Sequence, residues 1–336
     1  MTAENLPRIN AESCLLATTA VSNCRACIDV CPKNAWILTE ESIDLDANSC
    51  DGCALCAPVC TTNSIVVENK PILKLEHNIL SIVCSDVSEY SALNRIECIH
   101  SIDLLTLVSV YRDGMRRIRL CIGGCSDCDR SSKEGFWSRF MGLNSALFSR
   151  NMPMIVLEYS HGLCMERNDA DIEQPDRGRR GFFSKLLGLS STASHDDLSS
   201  DYLSKMNSPG QWLESTGFKG PLPYVPVMDT LSCSACHACV KICPARALVH
   251  DDKTSYYLVK SELCIGCMLC VDICEDGAIS VDSWKEPKQT EIPLLSKQCE
   301  ACGVTYSMVE EKSEMDVRCS LCRSSDRFSN LFQVID

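Results

Sequence analysis

The chain has 336 residues, 26 of them cysteine, and a formal net charge of −13 at pH 7. This length accommodates two or three domains, at least one with a conventional core. The acidic balance argues against nucleic acid as a partner, because phosphate binding needs a basic surface. No run of about 18 apolar residues marks a membrane span.

The opening "MTAENLPRINAESC" is polar and lacks the apolar stretch of a secretory signal. The cysteines are therefore expected in a reducing, cytoplasmic setting, where such density means metal rather than disulfides. An acidic surface suits steered docking onto basic patches of redox partners; it equally suits plain solubility.

The cysteines fall into four groups: eight in 14–60, six in 84–164, eight in 233–274 and four in 299–322. In the first group, Cys24-x₂-Cys27-x₃-Cys31-Pro32 is preceded by Val21 where a further cysteine would complete a C-x₂-C-x₂-C-x₃-C-P run. Cys50-x₂-Cys53-x₂-Cys56-x₃-Cys60 is complete. In such paired runs three closely spaced thiolates wrap one cubane, and the fourth ligates the neighbouring one. Cys50, Cys53, Cys56 and Cys31 are thus expected on one [4Fe–4S] cluster. Cys24, Cys27 and Cys60 remain for the other, with Cys14 the nearest spare thiol. The intervening "LLATTAVSN" spans the gap easily at ~3.3 Å per residue. A three-iron or labile cluster, with Cys14 a buried thiol, is the alternative.

Residues 73–160 read as α/β structure. Strands are expected over 79–85, 116–124 and 153–159, where apolar and β-branched residues run together. Helices are expected over 101–114, with Ser101 as N-cap and Gly114 as stop, and over 134–151. This alternation implies a small parallel sheet. Cys84, Cys98, Cys125 and Cys128 fall at strand ends or in the loops beyond them, where open α/β sheets place ligands; Cys121 and Cys164 are assigned to the core.

Residues 166–225 are polar and rich in Gly, Pro, Ser and Asp, and read as a linker or surface excursion. Within them "GRRGFFSKLLGLSS" (178–191) resembles a twin-arginine export signature placed internally. It is read as an amphipathic helix or a docking element for a partner or maturation chaperone.

The third group repeats the first at an offset of about 213 residues. Cys233-x₂-Cys236-x₂-Cys239-x₃-Cys243-Pro244 precedes Cys264-x₂-Cys267-x₂-Cys270-x₃-Cys274. Cys233, Cys236, Cys239 and Cys274 are expected to hold one [4Fe–4S] cluster, and Cys264, Cys267, Cys270 and Cys243 another. In the fourth group, Cys299-x₂-Cys302-x₁₆-Cys319-x₂-Cys322 forms two knuckles of a tetrahedral thiolate site, for structural zinc or a rubredoxin-like single iron.

Both large cysteine groups resemble the bacterial-type two-[4Fe–4S] ferredoxin module, a pseudo-symmetric pair of hairpin–helix units. They depart from it at Val21 and at Thr61 and Glu275, where proline would follow the fourth cysteine. The order "ILSIVCS…RIECIHSIDLLTLVSVYRDGMRRIRLCIGGCSDC" is similar to the delta subunit of methyl-viologen-reducing hydrogenases. That resemblance implies a [2Fe–2S] cluster on Cys84, Cys98, Cys125 and Cys128, with a cluster-free remnant of the domain as the alternative.

The expected fold is thus an α+β multidomain chain, with two bacterial-ferredoxin-like modules flanking a small parallel α/β domain and a C-terminal zinc-ribbon-like segment. The expected boundaries are 1–72, 73–165, a linker over 166–225, 226–290 and 291–336. No G-x-G-x-x-G, P-loop or HExxH motif points to substrate chemistry, and no catalytic residue is assigned. The expected function is that of a polyferredoxin relaying electrons to or from the redox partners of a multi-subunit oxidoreductase. Its general layout is similar to iron–sulfur proteins associated with molybdenum enzymes such as formate dehydrogenase. An iron–sulfur redox sensor or an assembly factor for such an enzyme is the alternative, and catalysis would require an open metal site.

Overall fold

The computed structural model describes residues 6–39, 43–67, 73–87, 94–125, 128–130, 135–161, 208–251, 255–312 and 317–323. The expected docking element at 178–191 and Cys164 lie outside the described residues. The fold is mixed α and β, with several sheets, one of them parallel.

In the N-terminal part, strand β1 (Arg8–Ile9) leads to the short helices α1 (Leu15–Thr18) and α2 (Ala26–Asp29). Strands β2 (Trp36–Leu38) and β3 (Ile43–Leu45) form a hairpin, and β4 (Ile65–Val66) returns antiparallel to β1. These elements are too short to be stable alone. Their small core, Trp36, Ile43, Cys56, Ala57 and Ile65, packs against further cysteines, among them Cys14, Cys27, Cys31 and Cys60. With so little apolar area to bury, ligated metal is the natural staple for this unit.

The central unit contains β5 (Ile79–Cys84), β6 (Arg95–Ile96), helix α3 (Leu104–Arg112), β7 (Arg117–Ile122), helix α4 (Gly135–Ser149) and β8 (Val156–His161). Its sheet has the order β6-β5-β7-β8, and every pairing is parallel. Helices α3 and α4 cover the sheet because their apolar residues recur at helical spacing. Leu80, Leu107, Ile118, Leu120, Phe136, Leu143 and Leu147 are fully buried, and each such side chain contributes about 1.5–3 kcal/mol by leaving water. The N-cap of α3 is Asp103, whose carboxylate accepts a hydrogen bond from Thr106 N at 2.6 Å. Ser101, expected there, instead ends a 3₁₀ turn over Ile99–Ser101. Gly114 closes this region at φ +107°, a conformation side-chain-bearing residues avoid.

The polar stretch 166–225 is folded at its C-terminal end. Ser208 caps the helix Pro209–Ser215 by accepting from Gly210 N at 3.0 Å, and Pro209 occupies the first turn. Strand β9 (Leu222–Met228) follows, and its two prolines are tolerated because it pairs with a single partner. Leu213, Leu222 and Val225 join the core of the parallel-sheet unit. Arg150, fully buried, donates to the carbonyls of Ala146, Leu213, Gly220 and Pro221 and so ties α4 to this segment.

In the C-terminal part, strand β10 (Leu248–Asp251) pairs with β11 (Tyr256–Val259), and β12 (Ile279–Lys285) returns antiparallel to β9. This repeats the N-terminal plan of an inner hairpin and an outer strand pair. Strands β13 (Glu291–Gln298) and β14 (Thr305–Val309) extend the inner hairpin into a four-stranded sheet of order β10-β11-β13-β14. The segment bearing Cys299 and Cys302 is therefore continuous with the second cysteine module through the β11–β13 pairing.

Candidate metal centres

The eight cysteines of 233–274 line two separate cavities. Cys233, Cys236, Cys239 and Cys274 line one, beside His237 and Tyr257. Cys243, Cys264, Cys267 and Cys270 line the other. Each cavity thus takes three cysteines from one run and the fourth from the other. The electrostatics divide the thiols in the same way. Burial first, then Cys233, Cys236 and Cys274, pushes the Cys239 thiol up to about 12. Burial, then Cys264, Cys267 and Cys243, does the same to Cys270.

The N-terminal cysteines group less cleanly, because Cys27 and Cys56, expected in different sets, act on one another. Burial pushes the Cys27 thiol up to about 12, and the neighbouring thiols that add to it are Cys24, Cys60 and Cys14. Cys24 is raised by burial and then by Cys60 and Cys14. The structure therefore brings Cys14, ten residues upstream, into the company of Cys24, Cys27 and Cys60. Cys50 is raised by burial and lies near Cys31, and Cys56, pushed up to about 12 by burial, lies near Cys27 and Cys50. Crowded, buried thiols that raise one another are poor company without a cation. Iron removes their protons and supplies the missing charge, so these donor sets fit iron–sulfur clusters.

The loop conformations set the run that carries Val21 apart from the three complete runs. In each of the three complete runs, the residues on either side of the second cysteine are left-handed: Gly52 and Ala54, Ala235 and His237, Gly266 and Met268. Their φ angles lie between +55° and +73°. This alternation turns successive cysteines toward one centre. In the run that carries Val21, Arg25 has φ −129°, and Asn23 is not among the left-handed residues. That loop is not wound in the same way, and Val21 is 39% exposed.

A recurring hydrogen bond was not read from the sequence. The fourth cysteine of every run accepts at Sγ from the backbone N–H four residues on. The pairs are Ala35 to Cys31 at 3.4 Å, Ser64 to Cys60 at 3.2 Å, Ala247 to Cys243 at 3.3 Å and Ala278 to Cys274 at 3.2 Å. The signal was present as a small residue, Ala or Ser, at the aligned position of all four runs. Such donors stabilise negative charge on ligand sulfur and raise a cluster's potential.

Cys84, Cys98, Cys125 and Cys128 line one open cavity of about 730 Å³ at the carboxyl end of the parallel sheet. Burial pushes the Cys98 thiol up to about 11, and Cys84, Cys128 and Cys125 add to the shift. All four are brought together, as a metal site requires. Cys121 is instead buried with Val83 and Val87 and is disulfide-bonded, against the expectation that the cysteines serve metal and not disulfides. Sequence reasoning missed Arg130 at the rim. Its Nε donates to Asp51 at 2.7 Å and its Nη1 to Glu97 at 3.0 Å. Burial acts to raise the Asp51 carboxyl, but the Arg130 hydrogen bond prevails and holds it below the usual range.

At Cys299, Cys302, Cys319 and Cys322 the four sulfurs lie within 4.8 Å of one another. Cys302 and Cys319 are 3.9 Å apart, close to the ~3.8 Å edge of a tetrahedron with ~2.3 Å metal–sulfur bonds. Cys319 N donates to Cys299 Sγ at 3.3 Å, and backbone donors of this kind pull the Cys299 thiol down to about 6. Among the described residues this is the thiol set tight enough for a single ion; the other sets are more widely spaced, as thiolates around a multi-iron cluster must be.

Comparison with known proteins identifies part of the chain. Residues 232–279 match the 4Fe-4S dicluster domain. The iron–sulfur subunit ArrB of arsenate respiratory reductase from Shewanella sp. (strain ANA-3) is 30% identical over 122 residues, covering 30% of this chain and 50% of the relative. A probable iron–sulfur subunit of the Frd operon of Proteus vulgaris is 31% identical over 93 residues, covering 27% of this chain and 54% of the relative. The chain thus spans about half the length of the curated relatives it matches. Among the described residues, no helix is long and apolar enough to cross a membrane. Residues 232–279 are a 4Fe-4S dicluster ferredoxin domain.

Proposed function

We propose that the chain is an iron–sulfur electron-transfer protein, a polyferredoxin that relays electrons in the cytoplasm to or from a multi-subunit oxidoreductase. The observation that carries this reading is the partition of the 233–274 cysteines into two cavities that exchange their fourth cysteine. The printed names of the relatives, iron–sulfur subunits, one of them of a respiratory reductase, support a reductase complex as partner. A molybdenum enzyme such as formate dehydrogenase is the specific candidate.

In this reading Cys233, Cys236, Cys239 and Cys274 hold one [4Fe–4S] cluster and Cys243, Cys264, Cys267 and Cys270 a second. Cys31, Cys50, Cys53 and Cys56 hold a third, and Cys14, Cys24, Cys27 and Cys60 a fourth. Cys84, Cys98, Cys125 and Cys128 hold a [2Fe–2S] cluster, and Cys299, Cys302, Cys319 and Cys322 hold zinc. The modules are 1–72 and 226–290, with the α/β domain 73–165 between them. Residues 291–336 are the zinc-ribbon-like segment, and 166–225 lead to the second module, with Leu213, Leu222 and Val225 packed on the α/β domain.

When bound, such clusters supply one-electron exchange without bond making. The chain's own residues do the rest. Buried cysteines exclude water, and the N–H groups of Ala35, Ser64, Ala247 and Ala278 stabilise the charge added on reduction. Potentiometric titration followed by EPR tests the proposal. Rapid, reversible reduction around −400 mV or below supports it. Clusters that are destroyed by one oxidation cycle, releasing a bound partner, overturn it in favour of a sensor.

A further inference from the structure

The central cysteine cavity does not stand apart from the first module. Arg130 follows Cys128 by two residues, and its backbone N donates to Cys128 Sγ at 3.4 Å. Its guanidinium then reaches three other ligand-bearing segments. It donates to Ser85 Oγ at 3.3 Å, beside Cys84; to Glu97 Oε2 at 3.0 Å and Glu97 O at 3.3 Å, beside Cys98; and to Asp51 Oδ2 at 2.7 Å, between Cys50 and Cys53. The other oxygen of Asp51 accepts from Cys53 N at 3.1 Å. The Arg130 and Asp51 side chains are 21% and 15% exposed, so solvent screens the pair only in part.

Two further contacts close the same junction. Lys33, two residues past Cys31, pairs with Asp129 at 3.2 Å. Beneath both ion pairs, Cys53, Leu55 and Cys98 form one small buried apolar cluster packed by Val30. A cysteine of the first module and a cysteine of the central cavity thus belong to one small buried apolar cluster, with opposite charges paired nearby.

We propose that Arg130 is a positioning residue that locks the central cysteine site onto the first module, so that the two sites exchange electrons directly across the apolar cluster of Cys53, Leu55 and Cys98. This rests on the reading that Cys84, Cys98, Cys125 and Cys128 hold a cluster. One electron leaves one site as the other accepts it; no bond forms or breaks and no proton is required. The arginine supplies a fixed positive charge shared by both sites and holds their separation. Lysine cannot reproduce this, since it lacks the planar fork that reaches Asp51 and Glu97 together.

The test uses the full chain, anaerobically reconstituted with iron and sulfide and reduced with dithionite. In the wild type, the EPR signal of the central site is split or broadened by its paramagnetic neighbour. Arg130→Gln at unchanged iron content removes that interaction and shifts the midpoint potentials of both sites to more negative values. Arg130→Lys restores the potentials but only part of the magnetic interaction. Asp51→Asn, which leaves the central cysteines untouched, also weakens the magnetic interaction, and it decides the matter if Arg130→Gln fails to retain iron. Unchanged splitting and potentials in iron-replete Arg130→Gln, or unchanged splitting in Asp51→Asn, overturn the proposal. Absence of any [2Fe–2S] signal in the wild type, with the other clusters intact, overturns the underlying reading together with it and is recognised by that pattern.

Discussion

Asn23 donates twice to the carboxylate of Asp272, from its backbone N at 3.0 Å and from its side-chain Nδ2 at 3.3 Å, across 249 residues of sequence. The bond joins the two cysteine modules at the residue before Cys24. There the Cys267 thiol, raised first by burial, also feels Cys24. The two modules therefore meet at the run that carries Val21.

Asp272→Ala is expected to loosen this junction. Both hydrogen bonds are charge-assisted but exposed to solvent, so the loss is about 1 kcal/mol. Hydrogen exchange checks it directly: the Asn23 amide should lose protection while amides of the parallel sheet keep theirs. Unchanged protection at Asn23 would show that the contact is not held in solution.

Cys14→Ala is expected to lower iron content by about four per chain, or to leave a three-iron EPR signal. The expectation follows from the neighbours that act on Cys27, which are Cys24, Cys60 and Cys14. Full iron with no new signal would reduce Cys14 to a packing residue.

Gly142 lies where Trp284 of β12 crosses helix α4, and a Cβ there would stand 2.0 Å from the indole Cε2. Gly142→Val should force the indole out and cost about 1–3 kcal/mol. Thermal unfolding reports the loss, and a red shift of tryptophan emission reports the displacement. An unaltered Tm would show that α4 and β12 are not packed this closely.

The dicluster domain at 232–279 was legible because cysteine spacing is a local property. The runs at 50–60 and 233–274 state their own partition, and β5, β7, β8, α3 and α4 follow from short apolar runs and helical periodicity. The remainder depends on contacts between distant segments. Nothing in "LPYVPVM" alone shows that Leu222 and Val225 complete a core built from residues 80–155. The polar composition of 166–225 conceals the Ser208-capped helix at its end. Arg130 was passed over because its partners, Asp51 and Glu97, lie 79 and 33 residues away. Cys14 could be nominated from sequence only as the nearest spare thiol; the folded chain places it beside the three it would join.

Cys319→Ala is expected to remove about one zinc per chain while iron stays constant, because the two metal systems use separate thiols. The loss should also lower the Tm, since β13 and β14 belong to the sheet of the second module. Loss of iron in parallel with zinc would contradict this separation.

In the proposed reading each of the five larger cysteine sets holds a cluster, and quantitation of iron, labile sulfide and zinc on the anaerobically purified chain decides it. The expected content is about 18 Fe, about 18 sulfide and about one Zn per chain. About 8 Fe, the content of the 232–279 domain alone, would rule the reading out.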